Sequence, residues 1–277
     1  MKLIYLLLIG CSFSNNSFLE KNNSILGKVP LSKTNNSIDI PDDFIDLIYL
    51  KLITESIYNN HQPNFKSEYK ILRNKECQLI TGDLDNPTAI EQTMMNAEVV
   101  IYNIGIIREF KSSGMSFEKL HLEGLKKCVD QAKKLNIKRF ILMSANGVKE
   151  VGTGYQTTKF RAENYLKESG LDWTIFRPSL IFGNSNGKQE FCKQLKEDML
   201  SLPFPAPLFH EGLLPFNAGT FKMSPVHVED VSKVFVKSLV NKESIGKTFE
   251  LGGEDLTWKE ITKLIAIASG KETKIFI

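Results

Sequence analysis

The sequence is short of the features that would place it in several common classes. Its 277 residues include four cysteines, Cys11, Cys77, Cys128 and Cys192. None forms a C-x-x-C pair or has a histidine at zinc-ligand spacing, so Cys77, Cys128 and Cys192 are expected as buried or half-buried thiols in a reducing compartment, with no metal site. No stretch approaches the roughly 20 apolar residues needed to span a bilayer. No basic block alternates with aromatics; the lysines are dispersed and the net charge is +3, which argues against a nucleic-acid partner. No internal repeat is present. What remains is a chain that is 42% hydrophobic and 24% charged. That composition and length suit one large domain, or one domain with a small appendage, with a substantial core.

The N-terminal "MKLIYLLLIGCS" can be read in more than one way. As a buried parallel β-strand it would run into a tight turn at Gly10, since such strands are continuous apolar runs. As a short lipoprotein-type signal it would place Cys11 at the attachment position. An incorrect gene start is the remaining reading. Residues 12–70 are rich in Asn, Ser, Lys and Ile, with an apolar stretch at "DDFIDLIYLKLITESIY" behind Pro41 and a polar loop at "SKTNNSIDIP".

From residue 70 strands and helices alternate strictly. "ECQLITGDL" reads as a strand, "NPTAIEQTMMNA" as a helix opened by Asn86 and Pro87, and "EVVIYNIGI" as a strand. "SFEKLHLEGLKKCVDQAKKLN" has the 3.6 period of an amphipathic helix. "KRFILMSA" is a strand, "YQTTKFRAENYLKESG" a helix ended by Gly170, and "DWTIFRPSLIFG" a strand. "VEDVSKVFVKSLVN", "KTFELGG" and "TWKEITKLIAIASG" follow as helix, strand and helix. The expected fold is α/β, a Rossmann-like doubly wound parallel sheet with right-handed crossovers. The expected division is a core over 1–183, atypical in its first 70 residues, and a small, shortened C-terminal region over 184–277 interleaved with the last strands.

In such sheets ligands bind beyond the carboxyl ends of the strands. The residues placed there are Gly10, Asp83, Asn103, Gly105, Ser144 and the segment Arg177 to Ser179. Beside them, Tyr155 and Lys159 stand four apart and share a helix face. A phenol has an ordinary pKa near 10. A neighbouring ammonium favours the phenolate, which suits a tyrosine to proton exchange with an alcohol or carbonyl. A Y-x-x-x-K pair alone is common on exposed helices. The order strand, Ser, loop, Tyr-x-x-x-Lys helix, strand ending in Arg-Pro is more specific.

At this point the chain resembles the atypical short-chain dehydrogenase/reductases (NmrA-like and epimerase-like). It is most similar to the subgroup of the accessory dehydrogenase-like subunit of respiratory complex I. The strings that carry this are "GDLDNPTAI", "HLEGLKKCVDQAKKLNIKRFILMSANG", "YQTTKFRAENYLKESGLDWTIFRPSLIFG", "SPVHVEDVSKV" and "GKTFELGGEDLTWKEI". The resemblance implies an oxidoreductase using NADP or NAD on an alcohol/carbonyl group of a small-molecule substrate, hydrophobic ones included. It implies Ser144, Tyr155 and Lys159 as catalytic positions, with Tyr155 as general acid/base and Ser144 orienting the substrate oxygen. Asp83 would lie against the adenine, Asn103 and Gly105 would line the cofactor, and Lys159 would also hold the nicotinamide ribose. The loop from Pro178 to Ser185, with Pro178 and Ser179 first, would close over the nicotinamide. Peripheral association with a membrane or a respiratory complex is expected, in a mitochondrion or a bacterial cytoplasm, ahead of export as a lipoprotein.

The chain departs from that family at its start. Members carry a Gly-x-x-Gly-x-x-Gly turn, whose glycines let the backbone approach a pyrophosphate. Here "GCSFSNNSFLEK" keeps Gly10 and puts Phe13 and Asn16 in the other two places. No clear second strand ends in an acidic or arginine reader of the ribose. The alternative function is therefore a non-catalytic accessory or assembly protein on the same fold. Simpler readings also attach to single residues. Asp83 would cap a helix, His121 and His227 would be structural, and Arg177 would bond loop carbonyls near the site.

Overall fold

A computed structural model describes residues 9–10, 80, 84–107, 109, 114–183, 191–200 and 217–270. The central sheet has five strands in the order β1 (Ile9–Gly10), β2 (Val99–Tyr102), β3 (Arg139–Met143), β4 (Asp172–Pro178) and β8 (Lys247–Leu251). β2, β3 and β4 are parallel, with Val99 opposite Arg139 and Arg139 opposite Asp172. Every residue of β2 and β3 is buried, as expected of strands covered on both faces.

The helices follow their sequence signals. α1 (Pro87–Met94) has Pro87 in its first turn, and the Asn86 side chain caps it by accepting from the Ala89 N–H at 3.1 Å. The segment read as one amphipathic helix opens instead with a π-helical turn, Glu118–Glu123, and continues as α2 (Gly124–Lys134). The wider turn buries three consecutive side chains, Leu120, His121 and Leu122. Gly124, Leu125, Cys128, Val129 and Ala132 then form a conventional inward stripe. α3 (Gly154–Lys167) starts at a capping box, Thr153 with Gln156.

Gly124 shows how tightly this layer packs. A methyl group there would lie 2.5 Å from Leu84 Cδ1 and 2.6 Å from the Tyr102 hydroxyl oxygen. Leu84 is buried, and Tyr102 is held by donating to the Leu120 carbonyl at 2.6 Å. Gly124→Ala is expected to cost about 1–3 kcal/mol from overpacking, offset by at most about 1 kcal/mol of helix propensity. A urea midpoint equal to or above that of the parent would show instead that Leu84 can yield.

Two expectations are corrected. In its reading as a strand, the N-terminal run was expected to be parallel and to turn at Gly10 toward the carboxyl ends of the sheet. Its described residues pair antiparallel with β2, Ile9 opposite Ile101 and Gly10 opposite Val100. The chain at Gly10 therefore heads toward the amino end of β2, away from Asn103. Phe13 and Asn16, in the positions of the expected glycine turn, lie outside the described residues. The second correction concerns "DWTIFRPSLIFG", which is not one strand. β4 ends at Pro178, whose missing N–H cannot continue a ladder. β5 (Ile181–Phe182) pairs instead with β7 (Val226–His227).

The chain forms two compact units, Met1–Arg177 with Ser232–Phe249, and Pro178–Val231 with Glu250–Ile277. In the first, buried Arg139 donates to the Asp172 and Ser238 carbonyls and to the Thr174 and Ser244 hydroxyls, each at 2.8 Å. It thereby ties β3 and β4 to the end of α5 (Val228–Val240). In the second, β6 (Lys222–Met223) pairs antiparallel with β9 (Leu256–Thr257). α4 (Phe191–Leu195) and α6 (Trp258–Ala268) supply Leu195, Trp258 and Ile261 to a small core. No helix among the described residues is long and apolar enough to cross a membrane.

Candidate functional site

The first unit gathers four of the expected residues at the carboxyl ends of β2 and β3. Asn103 follows β2 directly and is 3% exposed, and its Oδ1 has no hydrogen-bond partner among the described residues. A buried acceptor left unpaired costs about 1–3 kcal/mol, a cost that a donor from a ligand would relieve. Gly105, two residues on, has Lys159 and His121 against it. A methyl there would lie 3.4 Å from Lys159 Nζ and 3.5 Å from His121 Nε2. On α3, Lys159 Nζ lies 5.5 Å from the centroid of the Tyr155 ring.

His121 holds these pieces together. It is 2% exposed. Its Nε2 lies 3.1 Å from the Ile106 N–H, and its Nδ1 lies 3.1 Å from the Thr158 hydroxyl. The Thr158 hydroxyl donates its one proton to the Gly154 carbonyl at 2.7 Å. With that proton so placed, the Thr158 oxygen accepts from Nδ1–H and Nε2 accepts from the Ile106 N–H; in the other tautomer Nε2–H donates to the Ile106 carbonyl, also 3.1 Å away, and Nδ1 accepts from Thr158. The ring meets Tyr155 edge-on at 5.2 Å and stacks on Phe117 at 5.3 Å. Burial, then the Lys159 charge, pushes its pKa down to about 2, so it is neutral throughout the ordinary range. A structural role for His121 was expected; its position at the centre of the site was not. The signal available in the sequence was its place among the apolar residues of "EKLHLEGL".

The depressed value has a consequence for stability. The unfolded histidine binds a proton below about 6.5 while the folded one does not, so stability falls as pH drops below that value. Between pH 7 and pH 5 His121 is expected to contribute a loss of about 2 kcal/mol. A His121→Gln variant should lack this part of the slope in urea unfolding measured across that range. An identical slope in parent and variant would mean that His121 titrates normally in the fold.

Ser144 is placed differently from expectation. It follows β3, is 4% exposed, and donates to Glu163 at 2.5 Å. With its proton committed to that carboxylate, Ser144 meets a further group only as an acceptor. Glu163 is fully buried on α3 and takes a two-pronged contact from Arg177, Nε to Oε1 at 2.9 Å and Nη2 to Oε2 at 2.7 Å. Lys167 approaches Oε2 at 3.4 Å. Burial alone would raise the pKa of Glu163, but the hydrogen bonds from Arg177 and Ser144, with the charges of Arg177 and Lys167, hold it below the usual carboxylate value. Arg177 was expected to bond loop carbonyls; this carboxylate is a partner which that expectation did not include. Glu163 itself was missed, although a glutamate four residues after Lys159, among apolar neighbours, was visible in the sequence.

Of the remaining expected residues, Asp83 lies outside the described residues. Gly10 points away from the site, as described above. Pro178 completes β4, and the Ser179 N–H donates to the Leu251 carbonyl at 2.7 Å. His227 uses Nδ1 to accept from the Glu229 N–H at 3.4 Å, a local helix-start contact. No group of three or more metal-ligating side chains occurs among the described residues.

Residues 64–199 match a family described as NAD(P)H-binding. The chain is 28% identical to the mitochondrial 40 kDa subunit of NADH-ubiquinone oxidoreductase from Neurospora crassa, over 73% of this chain and 51% of that one. It is 24% identical to a ceramide reductase from Caulobacter vibrioides, over 73% of this chain and 60% of that one. The chain thus spans about half to three fifths of the curated relatives it matches. A UDP-glucuronic acid 4-epimerase from Bacillus cereus, solved with NAD, superposes with a TM-score of 0.57 at 21% identity, over 74% of this chain and 70% of that one. This last likeness speaks to fold. The unpaired acceptor on Asn103 is a feature that a donor group of a nicotinamide dinucleotide would satisfy.

Proposed function

We propose that this chain, an NAD(P)-binding protein of the atypical short-chain dehydrogenase/reductase kind, is an oxidoreductase acting on an alcohol/carbonyl pair. The observation that carries the reading is the convergence of the Asn103–Gly105 turn, Lys159 and Tyr155 around one neutral, buried histidine. Bound NADP or NAD would supply hydride transfer. Asn103 would accept a hydrogen bond from the cofactor through Oδ1, and Lys159 would hold its ribose. Tyr155 would exchange a proton with the substrate oxygen, favoured as phenolate by the nearby ammonium. Ser144, with its own proton on Glu163, would accept from the hydroxyl of an alcohol rather than donate to a carbonyl. The substrate is a small molecule, and the ceramide reductase among the relatives makes a hydrophobic one the first class to screen.

The test is a titration of the full-length protein with NADPH and with NADH, following nicotinamide fluorescence and melting temperature. A ligand that binds only the folded state stabilises it by about 2.7 kcal/mol at a hundredfold excess over Kd. A clear shift with either supports the reading. A cooperative melt that neither cofactor moves would overturn it. It would favour a second reading, a non-catalytic accessory protein of a respiratory complex, peripheral to a mitochondrial membrane. The course of the chain at Gly10 and the similarity to a complex I subunit support that alternative.

A further inference from the structure

We infer that Glu163 is a positioning residue of the site, fixing the height and rotation of α3, and with it Tyr155 and Lys159, against the carboxyl ends of β3 and β4. The inference rests on the proposed site but not on its chemistry. Tyr155, Lys159 and Glu163 stand at i, i+4 and i+8, on one side of α3. The carboxylate accepts from Ser144 at the end of β3 and from Arg177 at the end of β4. Those two strand ends are themselves joined, since the Ser144 N–H donates to the Phe176 carbonyl at 2.7 Å. One turn nearer the start of α3, Thr158 is held by His121. Lys159 therefore lies between two polar anchors, one to the π-helical turn and one to the sheet.

Apolar packing could not do this alone. Hydrophobic contact is non-directional, and the other buried residues of α3 include the small Ala162 and the aliphatic Leu166. They attach the helix without specifying its rotation. A buried ion pair is also a poor source of stability, because apolar residues of similar volume often serve as well or better. What a carboxylate with donors from two strand ends adds is a defined geometry. Small misplacements of reacting groups are costly.

The experiment places 3-fluorotyrosine at position 155 of the full chain and compares the parent with Glu163→Gln, Glu163→Asp and the double variant Glu163→Leu with Arg177→Met. Fluorine NMR reads the surroundings of the ring without any cofactor. NADPH and NADH titrations read the site, and thermal melts report whether each variant folds. The expected result is one narrow resonance in the parent, shifted or broadened in Glu163→Gln and in the double variant although both melt cooperatively. Cofactor affinity should fall about ten- to a hundredfold in the same two. Glu163→Asp should lie between, since it keeps the charge at shorter reach. A double variant with the parent's resonance and the parent's affinity would overturn the inference and leave Glu163 as a fold element only. If the parent binds neither cofactor, the proposed function fails, and the fluorine resonance alone still decides the role of Glu163.

Discussion

Tyr155→Phe is expected to bind NADPH or NADH as the parent does and to lose about 10²- to 10⁴-fold in carbonyl turnover. The substitution removes one oxygen. The ring that remains keeps its edge contacts with His121 at 5.2 Å and Phe117 at 5.6 Å. Lys159→Met should behave in the opposite way. It removes a charged donor next to Gly105. Hydrogen bonds to charged groups contribute about 1.5–3 kcal/mol, so cofactor affinity should fall about ten- to a hundredfold. The measurement is loss of dihydronicotinamide absorbance against a panel of long-chain ketones and aldehydes, with cofactor Kd determined in parallel. Full turnover in Tyr155→Phe would remove the phenol from the chemistry. Equal loss of binding in both variants would mean that the pair acts only in holding the cofactor.

The contrast between the two variants separates the two functional readings. A non-catalytic relative could keep cofactor binding for its structural value, and Lys159→Met would still weaken it. Only the proton-transfer reading requires Tyr155→Phe to leave binding intact and remove turnover. The same logic explains why a Tyr-x-x-x-Lys spacing persuades so little by itself. Four residues on a helix set a shared face, and many exposed helices have one. The face acquires chemical meaning here because the π-helical turn carries His121 under it and the Asn103–Gly105 turn lies beside it.

Much of this arrangement was legible from residues. The fully buried strands β2 and β3 read as continuous apolar runs, and Asn86 with Pro87 marked the start of α1. Asn103 and Gly105 were placed by the rule that ligands gather at the carboxyl ends of parallel strands, and Tyr155 and Lys159 beside them by their shared helix face. Three things were less legible. The direction of Ile9–Gly10 depends on backbone pairing that an apolar run does not specify, since either direction buries the same side chains. The split of "DWTIFRPSLIFG" hinged on the ladder position of Pro178. Hardest to see was the orientation of Ser144. A serine at a strand end can turn toward a ligand or toward the core, and only the presence of Glu163 one layer away decides it. A buried glutamate is conspicuous only once it is known to be buried; in sequence, a glutamate four residues after a lysine is an ordinary surface helix pair.

That buried carboxylate also sets the largest expected loss of stability. Arg177→Met leaves Glu163, with no exposed surface, without its two-pronged partner. Removing one member of a buried pair costs about 3–5 kcal/mol. Lys167, 3.4 Å from the same oxygen and 32% exposed, compensates in part, which places the expected value near the lower end. For a fold of this size about 3 kcal/mol corresponds to a drop of roughly 6–12 °C in Tm. The dependence on pH distinguishes this cause from a simple loss of packing. In the parent, Glu163 is held below the ordinary carboxylate value of 4.5. Its contribution is complete above that pH and is lost as pH falls through the lower folded value. In Arg177→Met only the Ser144 hydrogen bond and the Lys167 charge remain to oppose burial, so the folded value rises relative to that of the parent. The variant then gains relative stability as the carboxyl takes up its proton. The gap between parent and variant should therefore narrow from pH 7 toward pH 4. The fall due to His121 occurs in both proteins and cancels in the difference. A gap that stays constant over this range would mean that the charge of Glu163 is not what Arg177 balances, and that Arg177 acts through its packed stem alone.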